Sequence, residues 1–135
     1  MPGETVLEVG AGPGYQTAIL ARLARQVRSV EIVEELALEA EERLGQLGVA
    51  NVGIRVGDGS RGWVEHAPFD RILVASAAER APQALVEQLR PGGRLVLPLG
   101  AADAQALAVL DKDRGGQVTQ RELLRVRFSR LETMP

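Results

Sequence analysis

A doubly wound, mostly parallel α/β sheet that closes with an antiparallel hairpin is the fold class the sequence predicts. Three observations carry it. Short apolar runs recur without the alternation of a half-exposed strand, as expected for strands covered on both faces. Helical patterns of about 10–15 residues separate them, and such spacing demands crossover connections and a parallel sheet. The first run leads directly into a glycine-rich turn, VLEVGAGPGY over 6–15.

The elements follow in order. Residues 5–9 form a short buried strand by length and flanks. A helix is predicted over 14–26, where Ile19, Leu20, Leu23, Ala24 and Val27 recur at helical spacing. A second strand covers 28–32. A second helix covers 34–47, with Leu36, Ala40, Leu44 and Leu47 on one face and glutamates on the other. Gly48 stands where a helix C-cap glycine belongs. Strands at 52–56 and 71–74 follow. Pro82 opens a third helix that Pro91-Gly92-Gly93 closes, before a strand at 94–99. Residues 104–110 would suit a helix by propensity. Gly115-Gly116 and the later alternation of Leu124, Val126 and Phe128 with arginines favour a hairpin instead. The whole reads as one domain, 1–135, without repeats or linkers.

Composition excludes several function classes. Lys plus Arg is 16 against 18 Asp plus Glu, a net charge of -2, so no broad basic field advertises nucleic acid. With no cysteine there is no disulfide, thiol nucleophile or thiolate metal site, and one histidine, His66, rules out a site of several imidazoles. No apolar run is long enough to span a bilayer and no signal peptide is visible, so a cytoplasmic protein is expected.

The glycine turn is the strongest chemical signal. In open parallel sheets ligands sit beyond the carboxyl ends of the strands, at the switch point. A dinucleotide site wants G-x-G-x-x-G. Here the pattern is G-x-G-x-G, Gly10, Gly12 and Gly14, with Tyr15 at the sixth position and Glu8 two residues ahead. A carboxylate there repels a pyrophosphate and favours a ligand with ammonium and sulfonium charges, which S-adenosylmethionine carries. Glu31 closes the second strand, 21 positions after Gly10, where an acid accepts from ribose hydroxyls. Asp58, in Gly57-Asp58-Gly59, suits the exocyclic amine of adenine. Glu8, Glu31 and Asp58 thus end three successive strands on one edge of the sheet. The expected cofactor-binding set is Glu8, Gly10, Ala11, Gly12, Gly14, Tyr15, Gln16, Glu31, Ile32, Asp58, Gly59 and Gln105.

VLEVGAGPGYQTAILARL (6–23), GDGSRGWVEHAPFDRILV (57–74) and LRPGGRLVLPLG (89–100) together resemble the protein-L-isoaspartate (D-aspartate) O-methyltransferase family. The resemblance implies the fold of S-adenosylmethionine-dependent methyltransferases. It also implies methyl transfer to the α-carboxylate of isoaspartyl residues, a repair chemistry whose ester collapses to a succinimide. By resemblance, Gly10, Gly12 and Gly14 line the methionine and ribose part of the cofactor, and Tyr15 and Gln16 begin the helix over it. Gln105 matches a glutamine after the fifth strand on the substrate and cofactor side. The family's active-site serine lies in a T-I-S-Q-P-like motif ahead of the first strand. Residues 1–4 hold no such motif, so no catalytic residue is assigned, and Ser60 is no substitute. After the fourth strand the family's V-T-A-A is replaced by Val74-Ala75-Ser76-Ala77. The expected partners are isoaspartyl peptides and proteins, with self-association through apolar surface near the first strand. Two alternatives remain: an S-adenosylmethionine-binding module without turnover, and a methyltransferase with another substrate. Trp63 and Phe69 are read as packing anchors and His66 as a surface residue. The glutamates at 34–42 are read as a solvated face, and Arg121, Arg125, Arg127 and Arg130 as charges of an edge strand.

Overall fold

A computed structural model describes residues 3–101 and 103–134. One seven-stranded sheet runs β3-β2-β1-β4-β5-β6-β7. The strands are β1 Thr5–Val9, β2 Gln26–Glu31, β3 Val52–Val56, β4 Phe69–Val74, β5 Leu89–Ala101, β6 Ala104–Lys112 and β7 Val118–Val126. The helices are α1 Tyr15–Leu23, α2 Glu34–Gln46 and α3 Gln83–Gln88. Strands β1 to β5 pair in parallel and β6 and β7 antiparallel. The strand order reverses at β1, between β2 and β4, so the switch point lies at the turn after β1.

Both faces of the sheet are covered at its centre. Leu7 and Val9 join Phe69, Ile72, Leu85 and Leu95 in one cluster; Val6 joins Leu20, Ala21, Ala24 and Val27 in the other. The pleat divides β1 this way, because alternate residues point to opposite faces.

Helix α1 is shorter than its periodicity suggests. It buries Thr17, Leu20 and Ala21 and leaves Tyr15, Ile19 and Leu23 half or more exposed. Two tertiary interactions end it early. The amide N–H groups of Arg25 and Gln26 donate to Glu4 O, which starts β2 beside β1. The Asn51 side-chain amide donates to Ala21 O and Ala24 O at 2.8 and 3.1 Å, closing the helix end. Ile19 and Leu23, expected in the core, therefore lie on an outward stripe. Gly48 takes φ +70° after α2, the left-handed value that favours glycine.

Helix α3 stops before Pro91, because Lys112 Nζ reaches from β6 to donate to Val86 O and Leu89 O at 2.7 and 2.9 Å. Strand β5 accordingly begins at Leu89, ahead of the expected 94. The ambiguous 104–110 segment is strand, paired along β5 from Ala104 to Asp111. Strand β7 is the edge, and Leu123 and Leu124 are about half exposed on it. A register shift between Leu107 and Ala108 leaves Leu123 outside the ladder. Apolar alternation there marks a strand without marking a buried face.

Candidate functional site

The chain turns sharply after β1. Gly10, Gly12 and Gly14 have φ of +96°, +54° and +96°. At Gly14 a Cβ would also stand 3.0 Å from the Ala40 Cα, so α1 packs close upon α2 only because this residue has no side chain. At Gly12 a Cβ would meet nothing within 4 Å: the loop faces open space. Gly59, in the loop after β3, is the opposite case, since a Cβ would lie 2.2 Å from Val9 Cγ1.

The open space is a cavity of about 320 Å³ at the carboxyl ends of β1, β2 and β4. Gly10 and Gly12 form one side. Glu31, Ile32, Val33 and Leu36 form another, and Ala75 and Ser76 a third. Residues 129–132 of the C-terminal segment form a further side, and the cavity stays open to solvent. Glu31 is 6% exposed. Its two oxygens accept from different backbone amides, Oε1 from Gly12 N at 2.8 Å and Oε2 from Val33 N at 3.0 Å. It therefore ties the glycine loop to the end of β2, and each oxygen keeps a further lone pair for a hydroxyl.

Of the twelve residues expected here, Gly10, Gly12, Glu31, Ile32 and Gly59 line the cavity. The others do not. Glu8 lies on the α1 face of the sheet, fully buried below the loop. Its carboxylate accepts from the Thr17 hydroxyl, from Ser29 Oγ at 2.7 Å and from Gln16 Nε2 at 3.0 Å. The pleat gives the reason, since Glu8 shares its face with Val6 and points into packed side chains. Burial pushes the Glu8 carboxyl above its ordinary range and the nearby Glu31 adds to this; the three hydrogen bonds oppose the shift. Gln16 is thereby committed to Glu8. Ala11 is buried within the loop, where its carbonyl accepts from Gly14 N. Tyr15 is 65% exposed, its ring 4.1 Å from the Arg43 guanidinium.

Asp58 sits beside the cavity and accepts from Ser60 N, Ser60 Oγ and, across 76 residues, Met134 N at 3.2 Å. Burial would raise this carboxyl, but the Ser60 and Met134 bonds and Arg61 outweigh it and hold it below its ordinary value. Gln105 does not face the cavity either. Its Nε2 donates to Phe128 O at 3.1 Å and its Oε1 accepts from Phe128 N at 2.7 Å. Sequence reasoning did not place residues 129–132 at the cavity: Arg130 reads in the sequence as an edge-strand charge, but β7 ends at Val126 and Arg130 lines the cavity wall. Val33 was not singled out, and Leu36 was legible only as part of a helix face.

Trp63, Phe69 and His66 stand as read from the sequence, whereas Arg127 and Arg130 lie beyond β7, which ends at Val126, and not on the edge strand. Phe69 is fully buried, and Trp63 packs on the core with Arg55 4.7 Å from its ring centre. His66 is exposed by the amino ends of β1 and β2, away from the cavity.

Known proteins resemble this arrangement closely. The profile of the family described as Protein-L-isoaspartate(D-aspartate) O-methyltransferase (PCMT) matches residues 1–133. The chain belongs to that family. A protein-L-isoaspartate O-methyltransferase of Anaeromyxobacter dehalogenans (strain 2CP-C) is 56% identical over 135 residues, 98% of this chain and 65% of that protein. Protein-L-isoaspartate O-methyltransferase 1 of Polaromonas sp. is 50% identical over 131 residues, 97% of this chain and 56% of that protein. The chain thus spans somewhat over half the length of these curated relatives. Among solved structures, a protein-L-isoaspartate O-methyltransferase superposes with a TM-score of 0.87 at 30% identity, over 96% of this chain and 42% of that one. One from Plasmodium falciparum, in complex with S-adenosyl-L-homocysteine, gives 0.83 at 26% identity, over 98% and 67%. The mixed sheet with its antiparallel C-terminal hairpin is therefore the fold of S-adenosylmethionine-dependent methyltransferases. No helix among the described residues is long and apolar enough to cross a membrane.

Proposed function

We propose that this chain binds S-adenosylmethionine in the cavity after β1 and carries methyl transfer to the α-carboxylate of L-isoaspartyl residues in damaged proteins. The observation that carries the reading is Glu31. It is a buried carboxylate at the switch point, already tied to the glycine loop and facing a cavity within the range of about 300–1,000 Å³ usual for ligand sites. Family membership supplies the substrate class.

The residues fit the cofactor. Glu31 would take the ribose hydroxyls. Gly10 and Gly12 leave the loop side clear, and Ile32, Val33 and Leu36 offer apolar surface to the adenine ring. When bound, S-adenosylmethionine supplies a methyl group activated on a sulfonium centre. What remains for the protein is positioning and exclusion of water, because a substrate carboxylate is ionised at neutral pH and needs no base to become a nucleophile. Consistent with this, the site contains no histidine, and the loop 75–76 is built from small residues that leave room for a substrate side chain. Glu8 serves from below, joining α1 to β2 beneath the glycine turn. We also propose a cytoplasmic location.

The test is calorimetric titration with S-adenosylhomocysteine, followed by transfer of labelled methyl to an isoaspartyl peptide and to its aspartyl twin. Binding with transfer to the isoaspartyl peptide alone is expected. A folded chain that binds nothing overturns the reading. Binding without transfer leaves a cofactor-binding module as the second reading.

A further inference from the structure

The C-terminal segment, residues 127–134, crosses the carboxyl ends of the central strands as a strap. It is knitted to the sheet through the loop after β4. Ala77 N donates to Ser129 O and Leu131 N donates to Ala77 O, both at 2.8 Å. The neighbouring Ala78 joins the end of β5 through Pro98 O and Gly100 N. Leu131 packs on the main core cluster, and Met134 N reaches Asp58. Ser129 to Glu132 form one wall of the cavity.

The chain must turn to enter this course. Gln105 and Val126 form the last rung of the β6–β7 ladder. Two residues later Phe128 has left the strand, and both of its backbone polar groups are held by the Gln105 side chain, the N–H at 2.7 Å and the carbonyl at 3.1 Å. Gln105 is 4% exposed. A buried amide that offers one donor and one acceptor to a single residue's backbone acts as a substitute strand and fixes the direction in which the chain continues.

We propose that Gln105 is a positioning residue: its clamp on Phe128 aims the strap across the cofactor cavity and thereby slows release of the bound nucleoside. This rests on reading the cavity as the cofactor site. Gln105 does not line the cofactor cavity; it acts through residues 129–132. The side chain is specific in this role. Leucine supplies no polar group. Glutamate supplies both donor and acceptor only when protonated.

The experiment pairs amide hydrogen exchange with stopped-flow release of S-adenosylhomocysteine, on the full chain and on Gln105→Leu and Gln105→Glu. In Gln105→Leu the Phe128 and Leu131 amides should exchange about tenfold faster or more, as when buried backbone hydrogen bonds are lost, while central β1 amides keep their protection. Release should speed by a similar factor. Gln105→Glu should behave like the parent at acid pH and like the leucine variant once its carboxyl ionises, a pH dependence that simple loosening of the core would not produce. It also decides the matter if Gln105→Leu fails to fold. Faster exchange of the strap with unchanged release overturns the proposal, and so does unchanged exchange in both variants. A parent chain that binds no S-adenosylhomocysteine overturns the cofactor reading itself. The two failures are distinguishable, because exchange at Phe128 is measured without ligand.

Discussion

Replacing Glu31 by glutamine tests the site with the smallest change in shape. The carboxylate gives Gly12 N and Val33 N an oxygen each, at 2.8 and 3.0 Å. Glutamine has one oxygen. Whichever amide it keeps, its NH₂ group meets the other donor to donor. One hydrogen bond to a charged group is lost, worth about 1.5–3 kcal/mol. That loss falls on the ligand-free fold. The Kd for S-adenosylhomocysteine rises separately, because a ribose hydroxyl would lose its bond to a charged acceptor. At the same value of about 1.5–3 kcal/mol, with about 1.4 kcal/mol per factor of ten, the rise should be roughly 10- to 150-fold. Because the same bonds tie the loop to β2, the ligand-free protein should also melt at a lower temperature. Calorimetric titration of parent and variant, with thermal melts of both, measures the two effects. A Kd within about twofold of the parent's would refute the assignment, since one bond to a charged group is worth about tenfold or more in affinity. An unchanged melting temperature would refute the account of the loop.

Three further outcomes are expected from other contacts. The raised Glu8 carboxyl means that, above its ordinary value near 4.5, the folded chain holds a proton that the unfolded chain has released, so stability falls as pH rises toward the folded value. Urea unfolding across that window should show this slope in the parent and not in Glu8→Gln; parallel curves would show that Glu8 does not titrate as its burial implies. In Gly59→Ala the new methyl would stand 2.2 Å from Val9 Cγ1 in a packed region, so stability should fall by about 1–3 kcal/mol in chemical denaturation. An unchanged midpoint would mean the loop shifts freely. In Lys112→Met, α3 loses the ammonium that caps Val86 O and Leu89 O, and about 1 kcal/mol should go with it. Equal unfolding midpoints would show that water caps the helix as well as the lysine does.

The sequence by itself determined the sheet, the glycine turn and the position of Glu31. These depend on local rules: apolar runs of strand length, glycines where φ must be positive, and an acid at a strand end. The β3 limits at 52–56 were legible for the same reason. Only the tertiary structure decided where side chains point. Glu8 and Glu31 read alike along the chain, but the pleat buries the first under α1 and leaves the second at the cavity. The end of α1 depended on Asn51 and Glu4, and the end of α3 on Lys112, all remote in sequence. The alternation of β7 ran on through Phe128 in the sequence, but the strand ends at Val126, and the strap beyond it forms no ladder of its own length. Its course is set by isolated hydrogen bonds, two with Ala77, two with Gln105 and one accepted by Asp58, residues whose spacing along the chain carries no pattern until the sheet brings them to one edge.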